Sequence, residues 1–331
     1  MHINRIVSSI NLLKGKKVSY TMMLLFIALS ATSKIVYIAT DGNDSNPGTI
    51  TSPYATLNKA QSVVAAGDTV YFRGGTYSVS ESQIMEISGI FARVFKLDKS
   101  GNAAQRICYF GYPGERPVFD LTAVKPADKR VYVFFVSGSY LHFRNFEVVG
   151  TQVTITEHTQ SECFHHEGGN NCIYENLAMH DGMAVGFYIT KGSNNLILNC
   201  DAYNNWDNVS EDKKGGNTDG FGGHVNNAMY TGNVFRGCRA WYNSDDGFDL
   251  INCFAPFVIE NCWAFKNGYS PAGENLANGA GFKSGGYGMS GYSSAHRPFL
   301  PCRREQKSRL LRESSFRRFR FYQQYCLPQS F

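Results

Sequence analysis

A Gly-Phe step recurs four times in the middle of the 331-residue chain, and its spacing constrains the fold more than any other feature. The steps end at Phe187, Phe221, Phe248 and Phe282, so they lie 34, 27 and 34 residues apart. Repeats of about 20–50 residues are typical of solenoids, in which each unit stacks on the one before it. The spacing therefore predicts one elongated domain with a continuous core.

A second repeated element separates the Gly-Phe steps and carries Asn or Gly in its second place. Its copies occupy residues 144–148, 175–179, 198–202, 236–240 and 260–264. The last four copies begin 23, 38 and 24 residues apart, and a polar loop inserted at residues 208–216 explains the long interval. Short β-prone runs with Asn and Gly corners favour a β-solenoid, since the regular leucines of a leucine-rich repeat are missing.

We therefore predict an all-β fold, a right-handed parallel β-helix whose turns stack about 4.8 Å apart. Equal repeat positions then lie above one another, so the four Phe residues form an interior aromatic ladder. Cys200, Cys238 and Cys262 form a second inward ladder. Stacked cysteines lie within disulfide range, but packing explains all three positions and a disulfide only two, so free thiols are favoured.

Residues 1–33 are interpreted as a signal peptide. A basic stretch at residues 14–17 precedes an apolar run at residues 20–29, and small residues follow at 31–33. An apolar run of about ten residues is too short to span a bilayer comfortably, and an uncleaved anchor is the alternative. We expect a mature chain that begins near Lys34, is secreted or periplasmic, and has no stable membrane insertion.

Residues 292–331 differ in composition from the repeats, because Gly and Asn vanish and nine Lys and Arg face two Glu. The favoured interpretation is a tail foreign to the domain, for example after a frameshift; a basic tail that binds acidic polysaccharide or nucleic acid is the alternative. The remaining regions are a cap with the first turns at residues 34–120 and repeats with the active site at residues 121–291.

The net charge of +5 comes from the two ends of the chain. Residues 1–33 carry +4 and residues 292–331 carry +7, which leaves −6 for the body. An acidic body argues against a nucleic-acid partner.

Four aspartates are predicted to meet on the outer surface of two neighbouring turns. Asp219 and Asp246 each immediately precede a Gly-Phe step, and Asp245 lies beside Asp246. Asp249 follows Phe248, so strand alternation turns Asp249 outward when Phe248 points inward. Carboxylates this close repel one another unless a cation neutralises them, and an irregular all-oxygen site suits Ca²⁺ better than Mg²⁺. The alternative is that these aspartates only cap turns.

Lys283 occupies the position equivalent to Asp249 on the next turn, directly after Gly281 and Phe282. We expect it to face outward beside the metal, where a bound cation would lower its pKa from the usual value of about 10.4. A neutral amine beside a Lewis acid can remove a carbon-bound proton. This predicts β-elimination on a uronic acid polymer whose carboxylate binds Ca²⁺; the alternative is a solvated surface lysine.

The motifs around these residues resemble those of family 9 polysaccharide lyases. The run at residues 243–249, with residues 217–221 before it and 281–283 after it, carries the resemblance. It implies the right-handed parallel β-helix of pectate and rhamnogalacturonan lyases, with Lys283 as Brønsted base and four calcium ligands, Asp219, Asp245, Asp246 and Asp249. It also implies an acidic plant cell-wall polysaccharide as substrate, and we expect a monomer.

The resemblance covers about residues 35–290. Residues 37–48 and 66–77 resemble the N-terminal cap of exported β-helix enzymes. Beyond residue 290 the family continues with further turns that this sequence lacks. A complete site in an incomplete scaffold, with weak or no activity, is therefore expected.

Two other functions fit part of the pattern. A polygalacturonase-type hydrolase would use Asp219 and the Asp245-Asp246 pair as acid and base, but no Gly-His-Gly or Arg-Ile-Lys follows at later turns. A non-catalytic glycan-binding solenoid would use aromatic platforms such as Trp241 and Trp263.

Two histidine signals have no assigned role. His165 and His166 precede a Gly-Gly-Asn run and are interpreted as part of a polar corner. His224 has no partner that the sequence can place.

Overall fold

The computed structural model describes residues 33–283, which form a β-solenoid of three sheets. The first sheet contains β1 Ile35–Ile38, β2 Thr69–Phe72, β6 Ile107–Gly111, β9 Leu141–Arg144, β12 Ile173–Glu175, β15 Leu196–Leu198, β18 Asn233–Arg236 and β21 Phe257–Glu260. The second sheet contains β3 Gly75–Ser78, β7 Pro117–Asp120, β10 Glu147–Val149, β13 Ala178–His180, β16 Asp201–Tyr203, β19 Arg239–Trp241 and β22 Trp263–Phe265.

The third sheet contains β4 Glu86–Ser88, β5 Phe91–Leu97, β8 Arg130–Val136, β11 Glu162–Glu167, β14 Val185–Lys191, β17 Phe221–Gly223, β20 Phe248–Asp249 and β23 Phe282–Lys283. In all three sheets, neighbouring strands come from successive turns and run parallel, except the antiparallel pair β4 and β5. A short helix α1, Leu57–Val63, and a 3-10 turn, Glu81–Gln83, lie in the first turns. The predicted signal peptide and basic tail lie outside the described residues.

The second repeated element of the sequence is the corner between the first and second sheets. At the five copies of this element the corner has two residues, and the first has a positive φ, as at Asn176 (54°) and Asn199 (52°). Asn and Gly adopt this left-handed conformation at the lowest cost, which explains their recurrence there. The second corner residue points inward and is buried; these residues are Phe146, Leu177, Cys200, Cys238 and Cys262.

The cysteine ladder predicted from the sequence is confirmed. Cys200, Cys238 and Cys262 are fully buried at equal positions of successive turns. Their thiols are free, as are those of the other cysteines within residues 33–283. The Sγ of Cys238 donates to the carbonyl oxygen of Ile197 at 3.4 Å. Packing, not covalent linkage, therefore accounts for their placement.

The aromatic ladder is confirmed as well. Phe187, Phe221, Phe248 and Phe282 pair in direct register and are buried inside the solenoid. The rings of Phe221 and Phe248 stack with centroids 4.9 Å apart, and those of Phe248 and Phe282 do the same. Since each Phe fixes the register of its strand, the residues beside it are fixed in register too.

A ladder of buried asparagines holds the loops that enter the third sheet. The side-chain amide of Asn205 donates to Oδ1 of Asn243 at 3.0 Å, and that of Asn243 donates to Oδ1 of Asn267 at 3.0 Å. Asn243 is followed at once by residues 244–246, so this ladder places the acidic corner of the third sheet. No helix within residues 33–283 is long and apolar enough to cross a membrane.

Candidate active site

The acidic residues predicted from the repeat lie where loops from the second sheet enter the third. Asp219 lies two residues before β17, Asp246 lies two residues before β20, and Asp249 ends β20. The amide of Asp246 donates to Oδ1 of Asp219 at 3.0 Å, which ties the two turns together. Strand register places Lys283 opposite Asp249 on the following turn. The predicted stacking of these residues is therefore confirmed.

Three of the four aspartates converge on one point. Asp219, Asp246 and Asp249 each offer one carboxylate oxygen, and these oxygens all lie within 4.8 Å of one another. All three side chains are buried. Asp245 is buried beside them but is not part of this group, and its Oδ1 accepts a hydrogen bond from the amide of Asn278 at 3.0 Å. The structure thus brings together three of the four predicted ligands.

Lys283 reaches into the same point from the next turn. Its Nζ lies 3.0 Å from Oδ2 of Asp246 and 2.9 Å from Oδ2 of Asp249, and its side chain is 24% exposed. Lys283 is therefore a partly covered residue of the acidic cluster and not a solvated surface lysine.

The charges of this cluster shift the pKa of Lys283 upward. Burial would lower the pKa of the ammonium, but its attraction to Asp246 and Asp249 outweighs burial and raises that pKa well above the usual value. The sequence analysis predicts a lower pKa for Lys283 when a cation is bound beside it. That lower pKa stays a prediction.

The carboxyl groups are shifted in different directions. Burial, followed by the charge of Asp249, raises the pKa of Asp219 well above its usual value. Burial and the charge of Asp246 raise the pKa of Asp245 to about 8. Burial also raises the pKa of Asp246, although Lys283 opposes this. A cluster that resists its own ionisation in this way favours the binding of a cation.

Asp249 is the exception. Burial alone would raise its pKa, but contacts with His224 and Lys283 outweigh burial and lower it. Asp249 is therefore the carboxyl group of the cluster that is most readily ionised.

The donor set fits a hard divalent cation. Three buried carboxylates, those of Asp219, Asp246 and Asp249, converge beside a single ammonium, that of Lys283. Anionic oxygen ligands at irregular geometry suit Ca²⁺. Asp219, Asp246 and Asp249 are the residues placed to hold such an ion.

The interpretation of His165 and His166 as a polar corner is wrong. Both lie in β11, where His166 points inward and is fully buried, while His165 forms a buried ion pair with Glu162. Burial alone would lower the pKa of His165, but contacts with Glu162 and Glu167 together outweigh burial and raise it to about 9. Regular pairing with both neighbouring strands continues through His166, and the register shifts only at Glu167, so the two histidines belong to a strand and not to the corner that follows.

Sequence reasoning also missed Tyr188, which lies in the same outward column of the third sheet as His165, Gly222, Asp249 and Lys283. This column forms a continuous line along the outside of the sheet and leads to the acidic cluster. The repeat alignment could have found it, because each of these residues lies one place after the inward aromatic residue of its turn.

Trp241 and Trp263 lie elsewhere, on the outer face of the second sheet. With Arg239 and Phe265 they line a shallow cavity of about 470 Å³. The ring of Trp241 stacks between Tyr203 (4.3 Å) and Phe265 (5.7 Å). Both faces of Trp241 are therefore covered, which does not favour its use as a sugar platform.

Comparison with known proteins identifies relatives of this fold. The family model described as Pel9A-like, right handed beta helix region, matches residues 36–300. Pectate lyase L of Dickeya dadantii (strain 3937) is 34% identical over 262 residues, which are 77% of this chain and 56% of that protein. Pectate lyase PEL9 of Emericella nidulans is 28% identical over 301 residues, which are 82% of this chain and 66% of that protein.

Solved structures agree with these relatives. A rhamnogalacturonan lyase superimposes with a TM-score of 0.75 at 56% identity, covering 78% of this chain and 63% of that chain. Pectate lyase Pel9A superimposes with a TM-score of 0.61 at 34% identity, covering 78% of this chain and 60% of that chain. The chain thus spans less than two thirds of the length of these two structures. The predicted right-handed parallel β-helix is confirmed, and the chain belongs to the Pel9A-like right-handed β-helix family of polysaccharide lyases.

Proposed function

We propose that this chain is a polysaccharide lyase that cleaves a pectic polyuronate by calcium-assisted β-elimination, with Lys283 as the Brønsted base. The observation that carries the proposal is the position of Lys283, whose Nζ contacts two of three buried, convergent carboxylates. A base and a cation site in one cluster are what proton abstraction beside a carboxylate requires.

Asp219, Asp246 and Asp249 would hold Ca²⁺, and Asp245 is proposed as the fourth ligand on the strength of the family resemblance. When bound, Ca²⁺ would supply Lewis acidity, binding the uronate carboxylate and making the C5 proton more acidic. Asp245 lies outside the group of convergent oxygens, and its Oδ1 accepts a hydrogen bond from the amide of Asn278.

Lys283 must be neutral to act as a base. Once Asp246 and Asp249 serve as ligands, Lys283 loses the two charges that stabilise its protonated form. Its half-buried position then favours the neutral amine. The amine takes the C5 proton, the C5–H electron pair forms a C4=C5 double bond, and the C4–O4 bond breaks with its electrons on oxygen. The leaving oxygen takes up a proton and becomes a hydroxyl group.

The relatives favour one backbone over the other. Identity to the rhamnogalacturonan lyase structure is 56%, against 34% to pectate lyase Pel9A. We therefore infer rhamnogalacturonan as the first substrate to test and homogalacturonan as the second. We also infer an exported, monomeric enzyme, as the sequence predicts.

A hydrolase is less consistent with the site. Inverting glycosidases hold their two carboxyl groups about 6.5–9.5 Å apart, with room for a water molecule. Here the convergent oxygens lie within 4.8 Å of one another, and a lysine lies among them. This spacing suits shared ligation of a cation better than a separate acid and base.

The test is the release of unsaturated products, measured by ultraviolet absorbance on rhamnogalacturonan and polygalacturonate, with Ca²⁺ or EDTA. The exposed Lys125 supplies a matched control, so Lys283→Met is compared with Lys125→Met. We expect a calcium-dependent rise in the parent and in Lys125→Met, and none in Lys283→Met. New reducing ends without ultraviolet absorbance would indicate a hydrolase, and substrate binding without products a glycan-binding protein.

A further inference from the structure

His224 lies between two turns of the third sheet, one residue beyond the end of β17. Its Nδ1 is 2.8 Å from the hydroxyl of Tyr188 on the preceding turn. Its Nε2 is 3.8 Å from Oδ1 of Asp249 on the following turn. This Nε2 is buried and has no hydrogen-bond partner among residues 33–283.

The approach of Tyr188 to His224 depends on a glycine. Gly222 lies in register between Tyr188 and Asp249, and the ring of Tyr188 passes over it. A Cβ atom at position 222 would lie 2.4 Å from Cδ2 of Tyr188, so any other residue would displace the ring. The ring of Tyr188 lies with its centroid 4.8 Å from that of His224. Because Gly222 has no side chain, Tyr188 of one turn can contact His224 of the next.

The direction of the hydrogen bond between Tyr188 and His224 is linked to the tautomer of His224. When the tyrosine hydroxyl donates to Nδ1, the imidazole proton of the neutral ring is on Nε2. That proton then faces the carboxylate of Asp249. The opposite tautomer would set a lone pair of Nε2 against the same carboxylate.

The two oxygens of Asp249 have different surroundings. Oδ1 accepts from the amide of Ile251 at 2.6 Å and faces Nε2 of His224. Oδ2 contacts Lys283 at 2.9 Å. A donor on the Oδ1 side would therefore fix the carboxylate while leaving Oδ2 turned toward the cluster. A movement of about 1 Å brings Nε2 of His224 within hydrogen-bond distance of Oδ1.

We infer that His224 is a positioning residue, which orients Asp249 as a cation ligand in a relay that runs from Tyr188 through His224 to Asp249. The inference rests on the proposed calcium site. Partners that hydrogen-bond a metal-ligating group fix its orientation, and their loss typically weakens metal binding by about 10–100-fold. His224 touches neither the substrate nor the cation in this role.

The test measures calcium affinity by titration calorimetry without substrate, in the full chain. We expect His224→Leu, which has no donor, to raise the Kd for Ca²⁺ by about 10–100-fold. His224→Gln, whose amide can donate to Asp249, should recover most of this loss. Tyr188→Phe keeps the ring and removes the hydroxyl, so its Kd should fall between those of the parent and His224→Leu.

In this titration, two results would overturn the role of His224 without refuting the proposed calcium site. One is an unchanged Kd in His224→Leu beside a parent that binds Ca²⁺; the other is a His224→Gln variant as weak as His224→Leu. A parent that binds no Ca²⁺ would instead refute the calcium site of the proposed function.

If the variants fail to fold, a second measurement on the calcium-free parent still tests the inference. The ¹⁵N chemical shifts of the His224 ring should show the proton on Nε2, and a proton on Nδ1 would overturn the relay.

Discussion

The ammonium of Lys283 lies 2.9 Å from Oδ2 of Asp249, the residue that faces it across two neighbouring turns. The same ammonium lies 3.0 Å from Oδ2 of Asp246. Lys283 thus takes the place of a cation among carboxylates that would otherwise repel one another. A divalent ion and a protonated Lys283 would compete for these oxygens, so binding of the ion and deprotonation of the base favour each other.

Replacement of Lys283 by Met should separate the two roles of this cluster. We expect kcat to fall by about 10²–10⁴-fold because the base is lost. Calcium affinity should rise, because Met removes the competing ammonium and keeps a side chain of similar length. Product release and titration calorimetry measure the two effects, with Lys125→Met as the control that changes neither. Weaker calcium binding in Lys283→Met would contradict this account.

Asp219→Asn should remove the calcium response and stabilise the calcium-free protein. Asp219 is buried among like charges, and Asn can still accept from the amide of Asp246 through Oδ1. Thermal melts in EDTA should therefore show a higher Tm than the parent. In the parent, Ca²⁺ at 100-fold over its Kd should add about 2.7 kcal/mol of stability. A variant that keeps this gain would show that Asp219 is not a ligand.

Asp245 should give the calcium-free protein an unusual pH dependence. Burial and the charge of Asp246 raise its pKa from 3.8 to about 8. The folded state then holds a proton that the unfolded state releases, so stability falls as the pH rises from about 4 to about 8.

Urea unfolding midpoints between pH 5 and pH 8 in EDTA measure this dependence. Because other groups titrate in the same range, the comparison is with Asp245→Asn, which cannot ionise. The parent should lose more stability than Asp245→Asn across this range, and Ca²⁺ should reduce the difference. Equal slopes in the two proteins would refute the raised pKa of Asp245.

The repeat allowed most of the fold and the centre of the site to be predicted. Side chains at equal repeat positions must stack once the turns are parallel, so Phe248 fixed the position of Asp249, and Phe282 that of Lys283. The corner cysteines followed from the same periodicity. In these places one physical constraint, the register, determines the structure.

The parts of the site that the sequence did not predict depend on the directions of side chains between turns. Strand register does not determine these directions. Asp245 turns toward the amide of Asn278, and not toward its three neighbours. The contact of His224 with Tyr188 needs the absence of a side chain at Gly222, two residues before His224. A single sequence indicates neither, because both depend on side-chain directions in loops and at strand ends.

The Gly of the first three Gly-Phe steps, Gly186, Gly220 and Gly247, should be intolerant of a side chain. At Gly220, a Cβ atom would lie 2.7 Å from Cβ of Ala240 and 2.7 Å from the carbonyl oxygen of Gly247. Neighbouring turns pair with β17 on both sides and cannot move apart without loss of hydrogen bonds. We therefore expect Gly220→Ala to lower the free energy of unfolding by about 1–3 kcal/mol, as overpacking does elsewhere.

Gly216→Ala is the matched control, since its new Cβ atom would meet only Cβ of Ala277 at 3.8 Å. Its backbone lies outside the left-handed region, so stability should stay within about 0.5 kcal/mol of the parent or rise slightly. Urea unfolding in EDTA measures both variants. Because Asp219 precedes Gly220, the strain should also weaken calcium binding in Gly220→Ala and leave it unchanged in Gly216→Ala. Equal stability of the two variants would show that the turns yield locally and that the glycine is not required by packing.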